Sequence, residues 1–448
     1  MKTRGGLVED FLTFEEENNL FATDYWAYLR LEIYRAIEGD VFGTGYSPVY
    51  LRQSVDFSSV WGECAQRDIV VIDNANRFVS ADGFLFNPTT HAIIEDFPQE
   101  VFEISFDFKG GSIILHNGER ARPFAHGLQR TMQFVPERDG LCDIICRTFG
   151  ILDEARLRAT VGGLFEYLAK IFALRTVFEN LFGCISPRIA VFENAYNPMF
   201  VMLNDIAKSR GIVTVELQHG HFDRLHIAFN VRNEVRQSAK KWATDRLFVY
   251  GPYYKNCARH IRDSRDIIVT GNQFYEYIGR RYADRPKYDI LFVSSTHSRP
   301  IREYAVQLKK IDGTLKILYR LHPEEKTDER MLSELVQLGI VIENPKSRNI
   351  YGAIAECRKV VAYNSTVIYE AAGIGKPVGV IVDEFNQTDA ATERITTLIR
   401  NCDELVRFVR SETCGNIGAV EDFFAKGGRR LIVDAVNECM HKGGKIRD

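Results

Sequence analysis

Apolar residues along the chain follow two rhythms. Over residues 15–40 ("EEENNLFATDYWAYLRLEIYRAIEGD") they recur at helical spacing with many aromatics, and a longer helical stretch runs from about 151 to 182. Short continuous apolar runs stand out elsewhere: "DIVVID" (68–73), "VFEISFDF" (101–108) and "GSIILHN" (111–117). The segment between the first two, "NANRFVSADGFLFNPTTHAIIEDF", is broken by polar residues, Gly and Pro and reads as loop and turns. From residue 188 the pattern becomes regular. "RIAVFEN" (188–194), "IVTVELQ" (212–218), "DRLFVYG" (245–251) and "DIIVTG" (266–271) predict strands, with amphipathic helices at 198–211 and after Pro252. A second series follows: "YDILFVSS" (288–295), "LKILYRLHP" (315–323), "GIVIEN" (339–344), "KVVAYN" (359–364) and "PVGVIV" (377–382), with helices between them at 301–311, 324–338, 349–356 and 365–374.

Strands alternating with helices predict βαβ units and parallel sheets, and strands without polar alternation predict sheets covered on both faces. The predicted architecture is α/β with two Rossmann-like parallel-sheet domains facing a central cleft. Residues 1–272 form the first domain with a helical N-terminal extension, and 273–417 form the second. Residues 418–448 hold a last helix expected to return to the first domain.

Composition narrows the class. With 45% hydrophobic and 26% charged residues the chain is an ordinary globular sequence, and its net charge of -3 gives no general case for nucleic acid. The nine cysteines are scattered without a C-x-x-C, which predicts thiols in a reducing compartment. The opening residues carry acids where a signal peptide needs an apolar core. A cytoplasmic protein is expected, or one peripheral to the cytoplasmic membrane through basic clusters such as 279–287 and "KGGRR".

In Rossmann-like halves the ligand crevice lies at the carboxyl ends of the strands, so residues just after strands are the candidates. "VELQHGHFDRLHIAFN" (215–230) places His219, His221 and His226 within one loop. Their spacing lacks an H-E-x-x-H or Cys/His pattern, and no metal site is expected. His219 at a strand end suits a general base, or is a satisfied loop histidine beside Gly220, whose role would be an unusual φ. Glu193, Glu216 and Asp223 are alternative bases; Gln218, Gly220, His221 and His226 are positioning or acceptor-side candidates. "YRLHPEE" sets Arg320 and His322 two apart, on one face of an extended chain, where they would meet an anion. "AYNSTVIYEAAGIGKP" offers Asn364, Ser365 and Thr366 at a strand-to-helix turn that can cap a helix or bind phosphate, with Glu370 to accept from a sugar or ribose hydroxyl. Ser294, Ser295 and Thr296 form a hydroxyl-rich loop with the same potential.

These stretches taken together ("ELQHG", "DRLFVYG", "VTGN", "YRLHP", "NSTVIYEAAGIGKP", over roughly 188–385) resemble bacterial surface-polysaccharide glycosyltransferases of the GT-B type. The nearest groups are capsule-biosynthesis proteins including Kdo transferases, and the CDP-glycerol glycerophosphotransferases. The resemblance implies that His322 and the Ser365–Thr366 turn hold donor phosphates and that His219 activates the acceptor. It implies a glycosyltransferase that moves a sugar from a nucleotide-activated donor (CMP- or CDP-linked favoured over UDP) to a glycan or lipid-linked acceptor. No cofactor would be required, and other polysaccharide-assembly proteins would be partners. Two readings compete with it: a nucleotide-sugar epimerase or hydrolase of the same fold, and a catalytically silent scaffold.

Overall fold

A computed structural model describes the chain except residues 1–2, 44–53, 56–65, 76–78, 82–83, 108–111, 116–119, 122, 125–134, 258–260, 276–285, 296–297, 323–324, 326–328, 346–348, 364, 384–389, 412–416 and 444–448. The aromatic helical stretch near the N-terminus is two helices, α1 (Arg4–Glu17) and α2 (Trp26–Val41). The first sheet then begins with β1 (Ile69–Asn74). It is followed by α3 (His91–Asp96), β2 (Val101–Asp107), β3 (Ser112–Leu115), β4 (Arg120–Ala121), α4 (Val135–Phe149) and α5 (Glu154–Ile185). The regular alternation supplies β5 (Ile189–Phe192), α6 (Pro198–Ser209), β6 (Val213–Leu217), α7 (Arg236–Lys240), β7 (Arg246–Val249), α8 (Pro252–Cys257) and β8 (Ile267–Val269). Strand order is β8-β7-β6-β5-β1-β2-β3-β4. The first six of these pair in parallel, while β3 and β4 extend the edge antiparallel.

The second sheet contains β9 (Tyr288–Val293), β10 (Ile317–Arg320), β11 (Val341–Glu343), β12 (Cys357–Ala362), β13 (Val378–Ile381) and β14 (Thr397–Ile399). Its helices are α9 (Ser298–Ile311), α10 (Glu329–Gln337), α11 (Ile350–Ala355), α12 (Val367–Gly373), α13 (Ala390–Ile395) and α14 (Cys402–Arg410). All its strands are parallel in the order β11-β10-β9-β12-β13-β14. Two more helices end the described chain, α15 (Ile417–Phe423) and α16 (Gly428–Gly443).

One expectation is corrected. The segment read as loop between β1 and β2 contains α3 and a short antiparallel hairpin, Val79–Ala81 with Phe84–Phe86. Gly83 and Pro88 suggested irregular chain, yet a two-strand hairpin needs only a few residues per arm.

Local chemistry sets the helix ends. Asn197 precedes Pro198 and its side chain accepts from the Met199 N–H at 3.0 Å, which fixes where α6 starts next to the crevice. Asp153 does the same for α5 by accepting from the Arg156 N–H at 2.9 Å.

Each sheet is covered on both faces. On one face of the first sheet, α1, α2, α4, α5 and α6 bury Phe11, Trp26, Leu168, Phe178 and Phe200 against Val70, Ile72 and Ile104. On the other face, Ile432, Ala435, Val436 and Cys439 of α16 pack with Ile93 of α3 against Ile69, Val71, Ile189, Val191 and Val215. The final helix therefore completes the first sheet. Arg429, in the basic "KGGRR" cluster, pairs there with Glu95 at 3.0 Å and Asp96 at 2.7 Å. A third apolar cluster bridges the two halves: Phe222, Phe229 and Tyr254 from the first meet Leu291, Tyr351 and Ile368 from the second, with Phe423 and Phe424. No helix among the described residues is long and apolar enough to cross a membrane.

The two connections between the halves cross in backbone contact. A Cβ on Gly271 (φ +71°) would lie 2.4 Å from the Ala425 carbonyl oxygen, and one on Gly428 would lie 2.7 Å from the Gln273 nitrogen. Only glycine fits both places.

Candidate functional site

Each sheet has one place where the strand order reverses. In the first it falls between β1 and β5, and in the second between β9 and β12. Ligands of such sheets sit beyond the carboxyl ends of the strands at these points.

At the first switch point Glu193 follows β5. It is fully buried, and its carboxylate accepts from the Asn74 N–H at 2.8 Å, the Asn87 side-chain amide at 2.9 Å and the Thr89 hydroxyl at 3.5 Å. As placed, Glu193 ties the β1 and β5 loops together. Its neighbour Asp73 is also fully buried and accepts from the Thr90 hydroxyl at 2.8 Å. Burial, then Glu103 and Glu193 nearby, pushes its carboxyl well above the usual range. Gln273, just past the chain crossing, donates to the Thr89 carbonyl at 2.7 Å. Asn87, Thr89 and Thr90 escaped the sequence reading. Their signal was the polar run "NPTT" directly before a helix.

The histidine loop leaves β6 and is braced at both ends. Gln218 is buried; its amide donates to the Gly220 carbonyl at 2.8 Å and its oxygen accepts from the Tyr250 N–H at 2.7 Å. At the far end Arg30 of α2 donates to the carbonyls of Ile227 and Asn230, the latter at 2.6 Å. Arg30 is held in turn by Glu15 of α1, which also accepts from the Trp26 indole at 2.7 Å. Asp223 accepts from the Leu225 N–H at 2.9 Å and shapes the turn between the braces. Glu216 is committed elsewhere, paired at 2.7 Å with the equally buried Arg262.

The three histidines have different surroundings. His219 Nε2 lies 3.0 Å from the Tyr196 hydroxyl. His221 reaches across the cleft: its ring stacks on Tyr369 of α12 with centroids 3.7 Å apart and 9° between planes, and its Nδ1 is 3.2 Å from the Tyr254 hydroxyl. His226 packs among Tyr196, Phe222 and Phe229, and burial lowers its pKa to about 3, so it is neutral at physiological pH. Gly220 is corrected: its φ is not among the positive ones, and a Cβ there would meet nothing within 4 Å. It adjoins open space and does not serve a strained turn.

On the second half Ser294 and Ser295 follow β9 and are buried, the Ser294 hydroxyl accepting from Tyr319 at 3.2 Å. Arg320 is also buried and forms an ion pair with Glu343, with a further bond to the Pro345 carbonyl at 3.2 Å. The His322 N–H donates to Glu325 at 3.1 Å. The Ser365 hydroxyl accepts from the Val367 N–H at 3.3 Å, while Thr366 is exposed and its side chain makes no cap bond. Glu370, on α12 beside Tyr369, is half-buried, and desolvation alone pushes its carboxyl up to about 7. Asn364 and Thr296 lie outside the described residues. The fold thus joins the histidine loop to α12, through His221 and Tyr369, whereas the Arg320 guanidinium is occupied by Glu343. Among the described residues no group of three or more His, Cys, Asp or Glu side chains is placed to hold a metal ion.

No protein-family model and no curated protein matches this sequence. Solved structures do. A UDP-N-acetylglucosamine 2-epimerase matches with a TM-score of 0.50 and 10% identity, over 86% of this chain and 98% of that one. The enzyme from Neisseria meningitidis bound to UDP-GlcNAc gives 0.47 and 12%, over 83% and 99%, and that from Methanocaldococcus jannaschii gives 0.48 and 10%, over 83% and 99%. With the two reversal points and the returning helix, the first of these likenesses shows the fold: the chain has a GT-B-like architecture of two Rossmann-like halves facing a cleft.

Proposed function

We propose that the chain cleaves the bond between sugar and nucleotide in a nucleotide-linked sugar bound across the cleft. The nucleotide lies on the second half, with Ser365 near its phosphates and Glu370 accepting from ribose or sugar hydroxyls. The observation that carries this reading is Glu370. A carboxyl made costly to ionise, on the helix after a switch-point strand, gains from a ligand whose hydroxyls stabilise its charged form. Epimerase- or hydrolase-type action, without a second sugar, stands first, because a solved protein of like fold is a UDP-N-acetylglucosamine 2-epimerase. Transfer to a glycan stands second, favoured by the open space beside Gly220 at the histidine loop. In either reading His219 is the base, and neither needs a metal.

The first test is a thermal-shift panel of CMP, CDP, UDP, GDP and ADP with and without Mg²⁺. A nucleotide at 100 times its Kd adds about 2.7 kcal/mol of stability. Products are then analysed with and without an acceptor. An epimer or free sugar formed without acceptor supports the first reading, and acceptor-dependent turnover supports the second. No nucleotide shift in a folded sample leaves the silent scaffold.

The Glu370 carboxyl adds a pH test. Its folded pKa is raised from 4.5 to about 7, so its contribution to folding is present below 4.5 and is lost as pH rises toward 7. Nucleotide binding has the opposite sign, since hydroxyl donors favour the carboxylate. Affinity is expected to fall by up to about tenfold per unit below pH 7 and to level off above it. Glu370→Gln should flatten that slope in calorimetric titrations. Whatever slope remains belongs to the nucleotide's own phosphate, and an unchanged slope removes Glu370 from the site.

His219→Ala should leave nucleotide binding intact and slow turnover roughly 10²–10⁴-fold. Equal loss of both would show that His219 serves binding and is not the base.

A further inference from the structure

Tyr196 was not among the candidates read from sequence. It sits in the loop between β5 and α6, three residues after Glu193 and one before the cap Asn197, at the first switch point. The ring is fixed on two sides, 5.4 Å from His226 and 5.8 Å from Phe229, the latter edge-on at 89°. Its hydroxyl lies 3.0 Å from His219 Nε2. A phenol hydroxyl can donate, and an unprotonated imidazole nitrogen can accept. With His219 in the tautomer that carries its proton on Nδ1, Tyr196 donates and Nε2 accepts. In that polarity the phenol proton sits on the basic lone pair of Nε2.

Resting on the reading of a nucleotide-sugar enzyme, we propose that Tyr196 is the relay through which His219 acts as a base. The hydroxyl of water or of an acceptor gives its proton to the Tyr196 oxygen, while the phenol proton passes to His219 Nε2. One O–H bond breaks and one forms on Tyr196, and a new N–H bond makes the imidazolium. The electron pair freed on the attacking oxygen bonds to the sugar's anomeric carbon. The nucleotide leaves with the pair of the broken C–O bond. His219 later returns its proton to the Tyr196 oxygen as the phenol releases one to solvent water.

The test uses the full chain labelled with ¹⁵N-histidine, and Tyr196→Phe, which keeps the ring and its packing. Two-bond ¹H–¹⁵N spectra read the tautomer, with His219 assigned from the His219→Asn variant. The wild type should show His219 protonated on Nδ1 with Nε2 as acceptor. Tyr196→Phe should shift the population toward Nε2–H. Turnover of the nucleotide sugar identified by the panel should fall about 10²-fold or more in Tyr196→Phe, with KM within about threefold. The double variant Tyr196→Phe/His219→Ala should be no slower than the worse single variant, because the two residues act as one unit. A tautomer indifferent to Tyr196→Phe, or losses that multiply in the double variant, would overturn the relay. If the wild type turns over no nucleotide sugar, the functional reading and the relay's role fail together. The tautomer spectrum still shows in that event whether the hydrogen bond exists.

Discussion

Replacing Arg30 with Met is expected to cost about 3–5 kcal/mol of stability, the usual result of stranding one member of a buried ion pair. Glu15 has no exposed surface, and Arg30 is nearly as buried. Glu15 would keep the Trp26 indole as a donor and lose the guanidinium. Burial already raises its pKa, with Arg30 opposing that rise. Without Arg30 the carboxyl moves higher still. A raised acid contributes stability below its unfolded pKa of about 4.5 and loses it as pH rises, so the deficit should shrink in mildly acidic buffer. Adding Glu15→Gln to Arg30→Met should recover part of the loss in urea unfolding, since it removes the stranded charge. A single Arg30→Met variant as stable as the wild type would show that the pair does not hold α1 to α2. The functional consequence is separate. The carbonyls of Ile227 and Asn230 lose their donor, so the histidine loop loses its outer brace. Turnover should fall at temperatures where the variant is still fully folded.

Gly271→Ala is the second large effect. Its φ of +71° costs a non-glycine residue roughly 1–2 kcal/mol, and the new methyl would sit 2.4 Å from the backbone oxygen of Ala425, in the other crossing segment. Neither segment is a flexible side-chain end, so the crossing must open, and overpacking of this kind adds roughly 1–3 kcal/mol. The variant should melt several degrees lower. Because the crossing sets how the halves meet, the His221–Tyr369 stack should loosen too, seen as a larger radius of gyration in solution scattering. An unchanged melting temperature together with an unchanged radius would show that the two connections do not clamp each other.

Much of the architecture is legible from hydrophobic pattern alone. "RIAVFEN", "IVTVELQ", "YDILFVSS" and "KVVAYN" are short apolar runs set between helices, and each is a parallel strand near a switch point. The pattern finds them because a doubly covered strand has no polar face to confuse it. It could not say that β3 and β4 run antiparallel, since direction is set by tertiary pairing. The site is harder to read. Residue type nominated Glu193 as a base, but partners 119 and 106 positions away bury and saturate it. Arg320 was nominated as an anion contact, and its geometry with Glu343 depends on two neighbouring strands having the same register. Tyr196 gave no signal, because an aromatic at the start of an amphipathic helix looks like core. What singles it out is a hydroxyl 3.0 Å from a histidine in the loop that follows the adjacent strand.

The covering of β1 and β5 by α16 has a consequence for how the protein is made. The sheet that begins near residue 69 waits for Ile432, Val436 and Cys439 before its second face is sealed. During vectorial synthesis, at about 5–20 residues per second, that face stays covered only in part, by α3, for on the order of tens of seconds. The second half, whose described strands and helices lie between residues 288 and 410, becomes complete in the interval. The half that is started first is thus finished last. A chaperone that shields apolar β-surface would meet this chain on Ile69, Val71, Ile189 and Val191.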